Sequence, residues 1–212
     1  MARVPAAALD RRELLLRAGV EAFGTSPYDD VRVADIASRV GVAAGLPFHY
    51  FGSKRGYYLE VIAHVGVLLR DVLAVPDGLA PAATVRAVLD AHLDWLGSHP
   101  AALRELLRGT MAADPQARAV YEASRWQGMA HLLAATGTGD PGPRARLLLE
   151  GWIALKDDVM LRWIEDPVVP RDELVAALTL LLADVLERTG EVSALATAGA
   201  IRAEGADLSR DP

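Results

Sequence analysis

The chain has 212 residues, a formal net charge of −6, and 52% apolar against 24% charged residues. That composition excludes a disordered or collagen-like polymer and supplies enough apolar surface for a real core. Cysteine is absent, which excludes a disulfide framework, a thiolate metal site and a cysteine nucleophile.

Apolar residues recur at three- and four-residue spacing and never alternate with polar ones over a strand length, so the chain reads as all-α. Glycines and prolines cut it into about nine helices. The first is expected from near Leu9 to Phe23, ending at Gly24-Thr25-Ser26-Pro27. A second covers 31–40 and stops at Gly41, and a short third covers 44–50 and stops near Gly52. A fourth starts at Ser53, a good N-cap, and runs to about Val75. Three more are expected over 83–97, 101–112 and 115–135, with Pro100 and Pro115 at helix starts and Asp114 as an N-cap. Loop 136–143 is the clearest break, and two long helices follow over 144–165 and 171–188. The expected divisions are a head at 1–56, a helical body at 57–190, and a partly disordered tail at 191–212.

Charge is uneven along this plan. Residues 1–58 hold eight basic and six acidic side chains, which leaves −8 for the rest. A slightly basic head sits on an acidic body. The longest apolar stretches, Leu59–Val75 and Leu174–Leu186, are interrupted by charge, so no membrane span is expected. No basic-then-apolar leader opens the chain, and the expected location is cytoplasmic.

One segment carries a recognisable chemistry. Residues 32–40, then Gly41-Val42, then 43–50 read as helix, tight turn, helix. Val33, Ile36, Ala37 and Val40 give the first helix an apolar face, Gly41 allows a positive φ, and Val42 packs between the helices. This is the layout of a helix-turn-helix, whose second helix enters the DNA major groove. Over residues 12–62 the pieces Ala22-Phe23, Asp35-Ile36-Ala37, Gly41-Val42, Gly45 and His49-Tyr50-Phe51-Gly52-Ser53-Lys54 follow in the order and spacing of a TetR/AcrR-family N-terminal domain, which this segment resembles. Beyond residue 62 the likeness is one of architecture. Departures from the family pattern are Val31 and Arg32 for two threonines or serines, Ala43 and Ala44 for a serine and a lysine or arginine, Pro47 for leucine, and Phe48 for tyrosine.

The resemblance implies a DNA contact set of Arg32, Ala43, Ala44, Gly45, Leu46, Phe48, His49, Tyr50 and Lys54. Lys54 matches the family's phosphate contact, at a helix start that also offers free N–H groups. His49 and Tyr50 stand where relatives touch phosphate, with core packing beside Phe51 as the other role open to Tyr50. Ala44, Gly45 and Leu46 stand at base-reading positions; they suit thymine methyls and cannot make arginine's bidentate bonds to guanine.

The 144–165 helix carries two apolar faces and the 171–188 helix is apolar nearly all round, so both need two partners. A dimer interface is expected from Leu147, Gly151, Ala154, Leu161, Leu174, Leu178, Leu181 and Val185. Effector-lining candidates are His92, Trp95, Trp126, Met129, Trp152, Lys156, Met160 and Trp163. Lys156 either snorkels at a rim or serves as a pocket cation for an acidic effector. Glu150, Asp157 and Asp158 are expected on the solvated face. No histidine pair at one-turn spacing, serine elbow or phosphate loop is present, so no enzyme, cofactor or metal is expected. The function this points to is a homodimeric, one-component transcriptional repressor, binding an inverted-repeat operator in double-stranded DNA and released by a small, largely apolar effector. The loss of polar DNA contacts leaves a second reading open: a helical carrier or enzyme with a vestigial head.

Overall fold

The computed structural model describes residues 11–73, 78–99 and 114–208. Among them are nine α-helices and no strand: α1 Arg11–Thr25, α2 Val33–Arg39, α3 Leu46–Phe51, α4 Lys54–Val72, α5 Pro81–Ser98, α6 Pro115–Ala135, α7 Pro143–Glu165, α8 Arg171–Thr189 and α9 Val192–Leu208. The helix expected over 101–112 lies outside the described residues. Among the described helices none is long and apolar enough to cross a membrane.

The chain divides into two compact units, Met1–Val67 with Ala101–Glu122 and Leu68–Pro100 with Ala123–Pro212. The expected boundary at 56/57 falls inside α4, within the first unit. There the core closes around Leu15, Leu16, Phe23, Ile36, Phe51, Tyr57 and Tyr58, with Ala117, Val120 and Tyr121 from the start of α6 packed against it. Gly19 lets α1 lie against α4, since a Cβ there would stand 2.6 Å from Val61 Cγ2. Tyr57 is fully buried and its hydroxyl donates to the Leu15 carbonyl, so the α1–α4 contact is also a hydrogen bond.

In the second unit α8 packs against α5, α7 and α9. The tail expected as partly disordered is helix α9 from 192 to 208. Ala194, Ala198 and Ile201 fall at helical spacing and are buried, Arg202 pairs with Glu187 and Asp184, and Glu204 accepts the backbone N–H of Ala82 at 3.0 Å. That last bond satisfies one free donor of the α5 start, where Ala80 offers no side-chain cap. Alanines supply the helix propensity that the tail's glycines and charges obscure in the sequence. Both expected caps form. Ser53 Oγ accepts from Gly56 N at 2.9 Å, and Asp114 Oδ1 accepts from Gln116 N and Ala117 N at 2.9 and 3.0 Å.

Candidate nucleic-acid interface and effector site

The turn between α2 and α3 is set by backbone bonds. Gly41, at φ 72°, lets Val42 N return to Ala37 O at 3.0 Å, and Val42 packs half-buried against the core. Leu46 N then bonds Ala43 O at 2.9 Å, closing a turn before the helix. The third helix therefore starts at Leu46 rather than Ala44. Pro47 has no N–H and its ring restricts it to the first turn, which fixes the start two residues later.

This start sorts the expected contact residues. Ala43, Ala44 and Gly45 form an exposed turn ahead of α3, and Leu46 is half-buried against the core. Pro47 and Phe51 are buried, whereas Phe48 is 46% exposed, Tyr50 39% exposed and His49 exposed. Tyr50 thus faces outward while touching Phe51 at a 6.0 Å ring separation. Arg32 is exposed at the N-cap of α2. Lys54 Nζ donates to Asp29 O at 3.1 Å and lies 4.6 Å over the Tyr28 ring, so its chain is held beside the first turn of α4. The next residue escaped the sequence reading. Arg55 grips Asp114 through Nε and Nη2 at 2.8 and 2.9 Å and Gln116 through Nη1 at 2.8 Å, tying α4 to α6. The Arg55 guanidinium, with the cap bonds from α6, holds the Asp114 carboxyl down to about 2. A basic residue beside Lys54 was the only signal, and its partner lies 59 positions away.

In the second unit Lys156 is not at a rim. It is 8% exposed, donates to His92 Nδ1 at 2.8 Å and sits 2.6 Å from Asp157 Oδ1, while Arg125 Nε reaches Asp157 Oδ2 at 2.9 Å. Asp157, expected on the solvated face, is 4% exposed; Glu150 and Asp158 pair with Arg146 and Arg162 on the helix surface. The reason is tertiary, because α5 and α6 bring His92 and Arg125 to α7. Burial, reinforced by Lys156, pushes His92 down to about 3, so the ring is neutral. Burial alone would raise the Asp157 carboxyl, but Lys156 and Arg125 outweigh it and hold the group below the usual carboxylate range.

The other expected effector residues separate into two groups. Trp95, Met129, Trp152 and Met160 are buried in the same unit as the cluster. Trp163 is half-buried and spends its indole N–H on Val169 O at 2.8 Å, anchoring the loop after α7. Trp126 lies under Arg146 at 4.4 Å. A cleft lined by Arg70, Leu73, Val88, Gly128, His131, Leu132 and Ala135 includes none of the eight candidates. Among the expected interface residues, Leu147, Gly151 and Ala154 are exposed and Leu181 and Val185 are half-buried, but Leu161, Leu174 and Leu178 are buried within the chain itself. Those three belong to the chain's own core. Helical spacing on a nearly all-apolar helix could not tell which stripe faces α5 and α7.

Residues 15–61 match the family model described as bacterial regulatory proteins, tetR family, and residues 81–184 match the Tetracyclin repressor-like, C-terminal domain. The chain belongs to the TetR family. This TetR-family chain is 28% identical over 157 residues to the HTH-type transcriptional regulator BetI of Stenotrophomonas maltophilia (strain R551-3), a match covering 72% of this chain and 80% of that protein. It is 28% identical over 159 residues to BetI of Serratia proteamaculans (strain 568), with the same coverage. Its fold resembles that of a tetR-family transcriptional regulator from Streptomyces coelicolor, with a TM-score of 0.74 at 22% identity over 97% of this chain and 91% of that one. It also resembles FadR from Bacillus subtilis, solved in complex with stearoyl-CoA, with a TM-score of 0.59 at 18% identity over 83% and 96% of the two chains. The TetR-family membership makes this protein a transcriptional regulator with a helix-turn-helix head.

Proposed function

We propose that this regulator is a cytoplasmic, ligand-responsive repressor that binds an inverted-repeat operator as a homodimer and is released by a small, largely apolar effector. The observation that carries the DNA reading is the division of α3: Pro47 and Phe51 hold it to the core while Phe48, His49 and Tyr50 stand exposed beside the Ala43–Gly45 turn. Small and apolar residues at this edge can meet thymine methyls but not guanine edges, so part of the selectivity comes from DNA shape. Lys54 and the start of α4 supply phosphate contact.

Self-association is supported by an exposed apolar face on α7 and α8. Leu147 is 69% exposed, Leu155 44% and Leu180 41%, with Gly151 and Ala154 allowing close approach. A two-fold pair of heads is what reading two half-sites requires. An apolar effector is supported by the buried Trp95, Met129, Trp152 and Met160, and the FadR neighbour was solved with stearoyl-CoA, a ligand with a long apolar chain. Release then follows if the effector prefers a body conformation that holds the heads apart from operator spacing.

The test is a mobility shift on DNA upstream of its own gene, over a salt series, with light scattering in parallel. The expected result is a dimer with sequence preference and a steep negative slope of log K against log salt. No sequence preference at any salt, or a monodisperse monomer, overturns this reading.

A further inference from the structure

On α7, Trp152, Lys156 and Met160 follow one another at four-residue spacing and all are buried, so they share one face. Lysine can only donate, so His92 Nδ1 must accept the 2.8 Å bond from Lys156, and the proton of the neutral ring sits on Nε2. The Trp152 indole N–H is buried with no hydrogen-bond partner. Buried donors are nearly always satisfied, and this one, one helical turn from the buried Lys156 ammonium, calls for an acceptor that the described residues do not supply. Asp157 is engaged by Lys156 and Arg125.

We propose that Trp152 and Lys156, the latter held by His92, form a recognition site for the carboxylate of a small organic acid, with its apolar part against Trp95, Met129 and Met160. This rests on the effector-binding reading of the second unit and names the class of effector. A carboxylate accepts only and has lone pairs enough for several donors. It also meets the Lys156 ammonium, as a charge-assisted bond. A cationic ligand meets that ammonium and donors only. A lone hydroxyl accepts but brings no charge against that ammonium.

The experiment titrates octanoate, benzoate and indole-3-acetate, each beside its methyl ester, into the full-length protein by calorimetry and tryptophan fluorescence. At least one acid binds about tenfold or more tightly than its ester, the magnitude expected for a buried charge-assisted hydrogen bond. Trp152→Phe keeps an aromatic side chain and removes the N–H; it weakens that acid more than its ester. Lys156→Met abolishes the preference for acid over ester, with circular dichroism checking its fold; if it does not fold, Trp152→Phe decides. Equal binding of acid and ester, no binding of any of the three acids at millimolar concentration, or a preference that survives Trp152→Phe undiminished overturns the site. A mobility shift with the unmodified protein separates the two levels. Sequence-specific DNA binding without an acid preference sinks the carboxylate site alone, whereas no sequence-specific binding sinks the regulator reading beneath it.

Discussion

In the first unit Phe23, Tyr28, Phe51, Tyr57 and Tyr58 meet edge-on or stacked at ring separations of 4.5 to 6.0 Å, whereas in the second unit His92, Lys156 and Asp157, each with 8% exposure or less, meet through charge and hydrogen bonds. The ring cluster is held by apolar contact, and the buried Tyr57 hydroxyl is satisfied by the Leu15 carbonyl. Buried charge is different: its desolvation is offset only while every partner stays in place. The ring cluster of the first unit is therefore held by shape, whereas the second unit adds to its buried apolar core a charged cluster that is held by pairing. Optical probes follow the same division, since all five tyrosines lie in the first unit and all four tryptophans in the second.

The contrast breaks most sharply at Asp157. Asp157→Ala leaves Lys156 and Arg125 facing each other without the carboxylate, and should cost about 3–5 kcal/mol. Urea denaturation followed by tryptophan fluorescence should show the loss; a change under 1 kcal/mol would mean the cluster is solvated. Phe23→Ala, a cavity in the ring cluster, should cost a similar 3–5 kcal/mol, read first by tyrosine signals.

Acid separates the units next. His92 titrates at about 3 in the folded chain against its ordinary 6.5, so the unfolded chain binds the extra proton between those values. Stability from His92 is complete above pH 6.5 and is lost progressively as pH falls toward 3, about 2–3 kcal/mol by pH 4.5. Tryptophan-detected melting should fall over this window and His92→Gln should flatten the fall; an unchanged profile in that variant rejects the assignment. Asp114 acts lower. Its carboxyl is depressed from 3.8 to about 2, so the cap and the Arg55 link persist above 3.8 and weaken as pH drops through 2.

Smaller effects belong to the head. Ser53→Ala removes the α4 cap and should cost about 1 kcal/mol by thermal melting. Lys54→Ala should leave the fold intact, weaken DNA binding alike for all sequences and flatten the salt slope by about one unit. A Lys54→Ala protein that loses sequence preference instead would place this residue among the base readers.

The helix-turn-helix was legible because its determinants are local. Gly41, the apolar spacing of Val33, Ile36 and Ala37, and the caps Ser53 and Asp114 act within a few residues, so the sequence shows them directly. The start of α3 was misread by two residues because the Ala43–Leu46 turn bond is not written in propensity, although Pro47 restricted the choice. The α9 helix was hidden because its stability comes from burying Ala194, Ala198 and Ile201 in the second unit rather than from local signals.

The sequence by itself determined the all-helical class, the family, and which short stretch stands ready for DNA, since these follow from periodicity, turn chemistry and motif spacing. Only the tertiary structure decided which charges are buried. Lys156 and Asp157 are neighbours on one helix; the spacing of Trp152 and Met160 marks the face that Lys156 shares but leaves a rim and a buried position both open to it, and nothing local separates Asp157 from the solvated Glu150 and Asp158. Their burial depends on His92, 64 positions from Lys156 in the chain, and on Arg125 from α6, because pairing across helices is what makes a charge tolerable away from water.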